Sequence, residues 1–308
     1  MRSRGGPPAE GADRPLARDR PEDGGALGGR RVCRGLRDRR ALRGDERVPR
    51  EAAAEVQEPT LKITTVTLDF WGTLLHDPPS SDNRYKKRRM ADFGTVLAAA
   101  GLRVAARALE RGYEESGAFL SKVWSRNRDV PVTEHVRAIL AAADAGLPRR
   151  VTSETMAMLV EAYARPALLV PPAVDESARA ALEALAARGY TLAVVSNIMR
   201  TPGVTLRKLL ERFGLLGYFR HTTFSDEVGV RKPDPEIFAL TLRAVGAVPE
   251  SAVHVGDDEV LDIQGARAAG MRVIHVTSEA PRAVGLWRPD DAIPRLGGLP
   301  DAIARLES

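Results

Sequence analysis

The sequence predicts an α/β fold in which a doubly wound parallel sheet carries one large helical insertion. From residue 171 onward, short runs of aliphatic and β-branched residues alternate with amphipathic helical patterns, which indicates a parallel sheet with helical crossovers. An isolated run of the strand type precedes them at residues 61–68. Between that run and the rest, residues 80–168 show helical periodicity and no strand pattern, so we expect an inserted helical cap there.

Residues 1–60 precede the first predicted strand and differ in composition from the rest of the chain. They are crowded with Arg, Gly, Pro, Asp and Glu and poor in large apolar residues, so they bury too little surface to offset the entropy of ordering. We therefore expect a disordered N-terminal extension, although a start codon assigned too far upstream would also produce it. Its arginines are interleaved with acids, which argues against a nucleic-acid-binding arm.

The compartment is indicated by what the sequence lacks. The first residues contain no apolar signal-peptide core, and no apolar run is long enough to span a bilayer. The one cysteine, Cys33, excludes an internal disulfide and fits a reducing compartment. We therefore expect a cytoplasmic protein with neither a membrane nor a nucleic acid as its partner. The sequence gives no indication of its oligomeric state.

The first predicted strand ends at a carboxylate. Residues 61–68 have the composition of a buried parallel strand, and Asp69 follows at its carboxyl end, where open α/β sheets place their ligands. Gly72 allows a sharp turn, and Thr73 offers a hydroxyl and an N–H close to the carboxylate. An Asp after a strand is more often a turn or cap residue, so this motif alone does not establish a site.

The inserted region predicts four helices, with Thr133 and Thr152 at the starts of the last two. Helical spacing covers residues 84–100, 104–126, 133–145 and 152–164. The first helix opens with a basic cluster, of which we expect most members to be solvated and one or two to face the cleft between cap and core. The cluster comprises Arg84, Lys86, Lys87, Arg88 and Arg89.

The remaining elements continue the alternation of helices and strands, which implies right-handed crossovers. Gly189 is the expected C-cap of the first of these helices. The predicted helices are residues 175–188, 201–213, 235–245, 260–269 and 299–306, and the predicted strands are 191–195, 221–224, 252–256, 271–277 and an edge strand at 291–294.

Polar side chains follow two of these strands, and a lysine lies on a proline-stiffened turn. Ser196 and Asn197 follow the strand 191–195, Asp257 follows 252–256 with Asp262 five residues later, and Lys232 precedes Pro233. Each has a simpler interpretation: a turn, a helix N-cap, a helix-face charge or a solvated lysine. All five together at one sheet edge, with Asp69, favour a functional site.

In chain order, these motifs resemble those of the haloacid dehalogenase-like (HAD) superfamily of hydrolases. The run from Asp69 through Trp71 to Thr73 is similar to its first motif, Ser196 to its second and Lys232 to its third. The stretch from Gly256 through Asp262 to Met271 is similar to its fourth. The resemblance covers roughly residues 61–308. It implies a Rossmann-like core over 61–79 and 169–308 and a helical cap over 80–168.

The resemblance also implies roles for these residues in phosphoryl transfer. Asp69 is the expected nucleophile, forming an aspartyl-phosphate. Ser196 and the amides around Thr73 and Asn197 are expected to bind phosphoryl oxygens, and Lys232 to neutralise charge. Mg²⁺ is the expected cofactor. Its expected site comprises Asp69, Asp257, the backbone carbonyl of Trp71 and Asp262, the last of which also steadies Lys232 or the metal site.

Trp71 departs from the pattern of phosphatases in this superfamily, which usually carry a second Asp there as general acid and base. An indole N–H cannot exchange a proton at useful pH. Superfamily dehalogenases carry an aromatic residue at this position and work without metal, whereas the Asp257–Asp262 pattern resembles the metal-binding phosphatase form. His76, seven residues after Asp69, is a less favoured substitute proton donor.

The sequence therefore predicts a Mg²⁺-dependent hydrolase that acts on a phosphate ester or phosphoanhydride of a small, anionic, phosphorylated metabolite. One alternative is a 2-haloacid dehalogenase-like enzyme. Another is a catalytically weak member that binds a phosphorylated ligand or a partner protein. No residue pattern in the cap identifies the substrate.

Overall fold

The computed structural model describes residues 62–76, 81–277 and 288–308, all within the unit Val56–Ser308. The predicted extension over residues 1–60 lies outside the described residues. The eight strands are β1 (Thr65–Leu68), β2 (Leu75–His76), β3 (Ala173–Val174), β4 (Thr191–Ser196), β5 (Phe219–Phe224), β6 (Ala252–Gly256), β7 (Arg272–Val276) and β8 (Asp291–Ile293).

Six strands form one parallel sheet in the spatial order β5-β4-β1-β6-β7-β8. The first strand in the sequence therefore lies in the middle, with β4 and β6 on either side. Val66 and Leu68 of β1 pack into one apolar cluster, while Thr67 contacts His254 on the neighbouring strand. A second apolar cluster, built around Ile237 and Phe238, lies apart from the first. The predicted α/β fold is confirmed.

Twelve α-helices accompany these strands in the described residues, and the long ones match the sequence pattern closely. Residues 81–169, the helical segment, contain α1 (Ser81–Ala99), α2 (Ala106–Trp124), α3 (Val132–Ala143), α4 (Leu147–Arg150), α5 (Ser153–Ala164) and α6 (Pro166–Leu169). The others are α7 (Ala178–Ala187), α8 (Gly203–Arg212), α9 (Ser225–Val228), α10 (Pro235–Val245), α11 (Gly265–Ala268) and α12 (Leu299–Glu307).

Two of the three expected helix caps are present. The Thr152 hydroxyl accepts a hydrogen bond from the amide of Thr155 at 3.1 Å, and Gly189 follows α7 with a φ of +84°. The prediction that Thr133 begins its helix is wrong. That helix starts one residue earlier, after Pro131, whose ring already fixes a φ of −56°.

Two short features differ from the expected elements. The strands β2 and β3 pair antiparallel and join the chain leaving β1 to the chain returning from the helical segment. Two residues are too few for a periodicity to show. The helix predicted over 260–269 is divided into a π-helical turn, Glu259–Gln264, and α11.

The helical segment meets the core again far from its two ends. The amide of Asp129 donates to the carbonyl of Gly229, and the amide of Arg231 donates to the carbonyl of Asn127, each at 3.1 Å. We call this pair of bonds the clasp. The boundaries of a separate cap domain stay a prediction. Within the described parts of the chain, no helix has the length and apolar character needed to cross a bilayer.

Candidate active site

Asp69 lies where the sequence places it, directly after the central strand β1. Its side chain is nearly buried, and its amide donates to the carbonyl of Val255 at 2.9 Å, which extends the pairing of β1 with β6. Gly72 follows with a φ of +78°, and a Cβ there would lie 2.3 Å from the Asp257 carboxylate. Only glycine permits this turn and this close approach, so the first motif brings two carboxylates together.

Lys232 connects two of the carboxylates. Its Nζ lies 2.7 Å from Asp69 Oδ1 and 2.5 Å from Asp262 Oδ1, and both the lysine and Asp262 are buried. Burial disfavours a charged lysine, but Asp262 and Asp69 outweigh that effect and raise the pKa of Lys232. The ammonium therefore stays charged between these two carboxyl groups.

Asp262 is held by more than the lysine. The imidazole Nε2 of His254 lies 3.0 Å from Asp262 Oδ1, and the amide of Asp258 donates to Oδ2 at 3.0 Å. Burial would raise the pKa of Asp262, but Lys232 and His254 hold it well below its ordinary value. Asp262 is thus a permanent anion with three donors.

The imidazole ring of His254 is buried and packs edge-on against Phe238. It also has a second role that sequence reasoning missed. An ionised Asp262 only accepts, so His254 Nε2 carries the proton, and Nδ1 accepts from the hydroxyl of Thr67 at 2.8 Å. Burial lowers the pKa of His254, which keeps it neutral. Thr67 carried no sequence signal for this role, because Thr64 and Thr65 stand close to it in the same stretch.

Asp257 follows β6 and lies beside Asp69 at the same edge of the sheet. Thr73 donates from Oγ1 to Asp257 Oδ1 at 3.2 Å, so the threonine hydroxyl orients this carboxylate. The carboxylate of Asp258, not Asp257, caps the following turn, accepting from the amides of Val260 and Leu261 at 2.9 Å and 2.7 Å. Asp257 is therefore free of the helix N-cap role that was its simpler interpretation.

Ser196 is the last residue of β4, Asn197 follows it, and both line the cleft described below. The Asn197 side chain forms two bonds with the backbone of Lys232, donating to its carbonyl at 2.9 Å and accepting from its amide at 2.8 Å. This amide therefore positions the lysine. The Ser196 hydroxyl donates to the neighbouring carbonyl of Asn197 at 3.3 Å, a weak bond that leaves it available to a ligand.

Burial and mutual repulsion shape the acidity of the two carboxylates nearest the cleft. Burial first, and then the charges of Asp262 and Asp257, raise the pKa of Asp69 to about 7 even with Lys232 opposing them. Burial and Asp262 likewise raise the pKa of Asp257. Ionising both groups at neutral pH therefore requires more positive charge than one lysine provides.

The donor set fits a magnesium ion. One carboxylate oxygen from each of Asp69, Asp257 and Asp262 lies within 4.8 Å of the others. Asp69 and Asp257 would hold the ion directly, since Mg²⁺ prefers one or two carboxylates with waters. Oδ1 of Asp262 already has two donors, so only a lone pair on Oδ2 remains for the ion or for one of its waters.

These groups open into a cleft of about 350 Å³. Trp71 forms part of its wall and packs edge-on against Phe70, with ring centroids 5.0 Å apart. Three arginines also line it: Arg231, whose ion pair is described below, Arg200, which follows β4, and Arg89 from the basic cluster on α1, which is fully buried. The prediction that one or two members of that cluster face the cleft therefore holds for Arg89. Arg200 carried no sequence signal.

A buried ion pair fixes Arg231, the residue next to Lys232. Arg231 Nη1 lies 2.6 Å from Asp129 Oδ2 and also donates to the carbonyl of Ile198 at 2.6 Å. Asp129 lies between α2 and α3 and also accepts from Ser225 and Trp124, at 2.6 Å and 3.0 Å. The helical segment thus contributes to the support of the loops that carry Lys232 and Asn197.

Two curated relatives are phosphatases. Phosphoserine phosphatase of Thermus thermophilus is 42% identical over 89 residues, which are 29% of this chain and 34% of the relative. Ribulose-1,5-bisphosphate 5-phosphatase of Halopiger xanaduensis is 34% identical over 151 residues, 46% of this chain and 60% of the relative. The matched residues thus span about a third of the length of the first relative and three fifths of the length of the second.

Among solved structures, the 2-haloacid dehalogenase of Pseudomonas syringae pv. Tomato superposes with a TM-score of 0.59 at 25% identity, covering 79% of this chain and 99% of that one. The family model for haloacid dehalogenase-like hydrolases matches residues 63–270, which include the aspartates, the serine and the lysine of the site. This chain therefore belongs to the haloacid dehalogenase-like hydrolases.

Proposed function

We propose that the protein is a Mg²⁺-dependent phosphatase that hydrolyses a phosphate ester or phosphoanhydride of a small metabolite through an aspartyl-phosphate on Asp69. The observation that carries this proposal is the excess of negative charge at the cleft. Three carboxylates converge within 4.8 Å around a single lysine. A divalent cation would balance that excess, and the two phosphatase relatives act on small phosphorylated compounds by their names.

In the first step, a carboxylate oxygen of Asp69 attacks phosphorus, and the bond from phosphorus to the leaving oxygen breaks with its electron pair. In the second step, water attacks the same phosphorus and the Asp69–phosphorus bond breaks, which restores the carboxylate and releases phosphate. Bound Mg²⁺ would supply Lewis-acid stabilisation of the charge on the transferring group.

The other residues hold the phosphoryl group and the nucleophile in place. Lys232 fixes Asp69 through the 2.7 Å contact and adds positive charge next to it. The Ser196 hydroxyl and the amides near Thr73 and Asn197 are proposed donors to phosphoryl oxygens. Asp262 acts by holding Lys232, since three donors already occupy its carboxylate.

Trp71 sets the proposed limits of the reaction. It lines the cleft two residues after the nucleophile but cannot donate a proton to the leaving oxygen. We therefore infer a preference for leaving groups that depart as weakly basic anions, such as acyl phosphates, aryl phosphates and anhydrides.

The second candidate is hydrolysis of a 2-haloacid. A halide needs no proton on leaving, which suits Trp71, and the structural likeness to a 2-haloacid dehalogenase is the observation in its favour. The acidic site opposes it, because metal-independent dehalogenation would leave Lys232 as the counter-charge for three carboxylates, those of Asp69, Asp257 and Asp262. Metal dependence separates the two reactions.

The test measures turnover of acetyl phosphate, aryl phosphates and 2-chloropropionate with Mg²⁺ and with a chelator, in the native protein and in Asp257→Ala. We expect phosphate release that requires Mg²⁺, no halide release, and loss of both activity and calorimetric Mg²⁺ binding in Asp257→Ala. Glu250→Ala is the matched control, because Glu250 is an exposed carboxylate away from the cleft.

Halide release that persists in the chelator would overturn the proposal in favour of the dehalogenase. Retained Mg²⁺ binding with no turnover of any compound would instead support a catalytically weak member that binds a phosphorylated ligand or a partner protein.

A further inference from the structure

Two arginines line the cleft without a carboxylate partner. In the described part of the chain, no Asp or Glu oxygen lies within 4.0 Å of the guanidinium nitrogens of Arg89 or Arg200, which together we call the arginine pair. The other two cations of the cleft differ, since Lys232 contacts two carboxylates and Arg231 contacts Asp129. The positive charge of the pair is thus uncompensated within the folded protein.

The contacts of Arg89 hold it rigidly in place. Nε donates to the carbonyl of Tyr163 at 2.8 Å, Nη1 to the Tyr113 hydroxyl at 3.1 Å, and Nη2 to the carbonyl of Arg200 at 3.0 Å. The guanidinium also lies 4.5 Å from the centre of the Tyr163 ring. Every one of these partners is neutral, and Arg89 is only 1% exposed.

Arg200 is more accessible and is oriented by the same tyrosine. Its guanidinium stacks 4.1 Å from the centre of the Tyr113 ring, while Nη1 donates to the Ser116 hydroxyl at 3.0 Å and Nη2 to the carbonyl of Tyr113 at 3.2 Å. A guanidinium has five N–H donors, so Arg200 keeps donors that these bonds leave unused.

An arginine stays charged at any working pH, and burying a charge without an opposite one is costly. The carboxylates of the proposed magnesium site do not pair with these arginines, because none of their oxygens lies within 4.0 Å of either guanidinium. A negatively charged group entering the cleft would relieve it and would use the remaining donors of the planar guanidinium. The cleft of about 350 Å³ must also hold the phosphoryl group, which favours a small second anion such as a carboxylate.

We propose that the arginine pair forms a subsite for a carboxylate on the phosphorylated substrate, with Arg200 contacting it directly and Arg89 providing charge from behind. This inference rests on the proposed phosphatase function and narrows its substrate to small phosphorylated carboxylic acids. The helical segment then selects the substrate through the carboxylate, while the sheet edge performs the phosphoryl chemistry.

The test is a binding measurement that does not require turnover. Dissociation constants of phosphonoacetate and 3-phosphonopropionate are compared with those of their amides, phosphonoacetamide and 3-phosphonopropionamide, by calorimetry at fixed free Mg²⁺. Each pair differs only in the carboxylate charge. We expect at least one acid to bind about tenfold more tightly than its amide, the typical advantage of a charge-assisted hydrogen bond.

Variants of Arg200 then assign that preference to the subsite. In Arg200→Gln the ratio between acid and amide should fall to about one, and in Arg200→Lys only part of it should remain, because lysine keeps the charge but not the stacked, planar set of donors. Arg137→Gln is the control, since Arg137 is an exposed arginine of α3 that does not line the cleft. Circular dichroism and thermal unfolding confirm that each variant is folded.

Equal binding of acids and amides by the native protein would overturn the subsite, as would a preference that survives in Arg200→Gln. Either result leaves the phosphatase proposal intact, because that proposal is judged separately by Mg²⁺-dependent turnover of acetyl phosphate, which carries no carboxylate.

Discussion

The two ends of the cleft differ in how their charges are balanced. At the sheet edge, Lys232 lies between Asp69 and Asp262, and Asp262 is in turn held by His254. At the other end, Arg89 and Arg200 donate to neutral oxygens only. The sheet edge is organised by its own residues before any organic ligand arrives, whereas the arginine pair lacks an anion.

The difference suggests a division of labour within one cleft. A fixed network of paired charges can position a nucleophile without reorganising, which is what phosphoryl transfer requires. Unpaired guanidinium groups are suited to discriminating among ligands, because they gain a partner only when the right anion binds. The substitutions below test the two ends and the contacts that join them.

The largest effect is expected where the sheet edge loses its nucleophile. Asp69→Asn should lower kcat by about 10⁴-fold or more, because an amide cannot form the aspartyl-phosphate. The neutral amide also removes one of the repelling charges, so the thermal stability should be retained or increased. Acetyl phosphate turnover, together with acid quenching to trap phosphoenzyme, measures the effect.

Asp301→Asn is the matched control, since Asp301 is an exposed carboxylate on α12. It should keep native turnover. Near-native activity in folded Asp69→Asn protein would show that Asp69 is not the nucleophile. The sheet edge could then not be described as the part of the cleft that positions a nucleophile.

A series of substrates and substitutions of Trp71 test whether the sheet edge lacks a proton donor. In the native protein, alkyl phosphates should be hydrolysed about 10²- to 10⁴-fold more slowly than aryl or acyl phosphates, the usual contribution of general acid catalysis. Trp71→Asp should narrow that gap, while the lost indole packing against Phe70 costs some stability. The measurement is kcat/KM across phosphate esters graded by leaving-group pKa.

Trp71→Phe is the control for the loss of the indole alone and should leave the gap unchanged. A flat dependence on the leaving group in the native protein would mean that another residue donates the proton, with His76 the first to examine.

The ion pair between Asp129 and Arg231 tests the contact between the two ends. Asp129→Asn leaves the buried guanidinium of Arg231 without its anion and should cost about 3–5 kcal/mol in the free energy of unfolding. Although burial alone would raise it, His135 and Arg231 hold the pKa of Asp129 below its ordinary value. Its stabilising contribution is therefore present above the ordinary carboxyl pKa and lost as the pH falls through the lower, folded value.

Urea unfolding of native and variant protein at about pH 7 and at about pH 2, below the ordinary carboxyl pKa, measures this change, with a smaller difference expected at the lower pH. The same difference at both pH values would show that lost packing, and not the lost charge pair, destabilises the variant.

The smallest effect is expected at Asp226, a buried carboxylate whose only close donor in the described structure is the amide of Gly203, 3.3 Å from both of its oxygens. Burial, with Glu227 and Asp129 adding repulsion, raises the pKa of Asp226 to about 7. The folded protein then binds this proton more tightly than the unfolded chain, so stability falls as the pH rises from about 4 to about 7. Asp226→Asn should remove this penalty and stabilise the protein by about 1–3 kcal/mol at pH 8.

Below about pH 4 the native protein and Asp226→Asn should unfold at the same urea concentration. A variant destabilised at pH 8 would mean that the carboxylate is needed as an anion at the start of α8. The Asp226→Asn result and the ligand-binding results for the arginine pair answer the same question. Both show whether a buried charge without a partner costs free energy that a substitution or a bound ligand recovers.

The sheet edge could be predicted from the sequence because strand ends and their polar residues are local patterns. Asp69, Ser196 and Asp257 each follow a run that is recognisable alone, and the parallel fold brings such ends together. The roles of His254 and Asn197 could not be predicted, because they depend on which atom each side chain reaches across strands. The arginine pair could not be predicted for the same reason, because Arg200 contacts Ser116 of α2 only in the folded protein.

The clasp between Asn127–Asp129 and Gly229–Arg231 has a consequence for how this protein could evolve. A helical insertion attached only at its ends can be exchanged between relatives as an independent cassette. Here the insertion also carries the anion for Arg231, next to the lysine, and bonds to the backbone of the same turn. Replacing this insertion with that of a relative would leave Arg231 buried without its carboxylate partner. The segment and the lysine turn are therefore expected to be inherited together, and chimaeras that separate them should lose the phosphoryl chemistry along with the substrate preference.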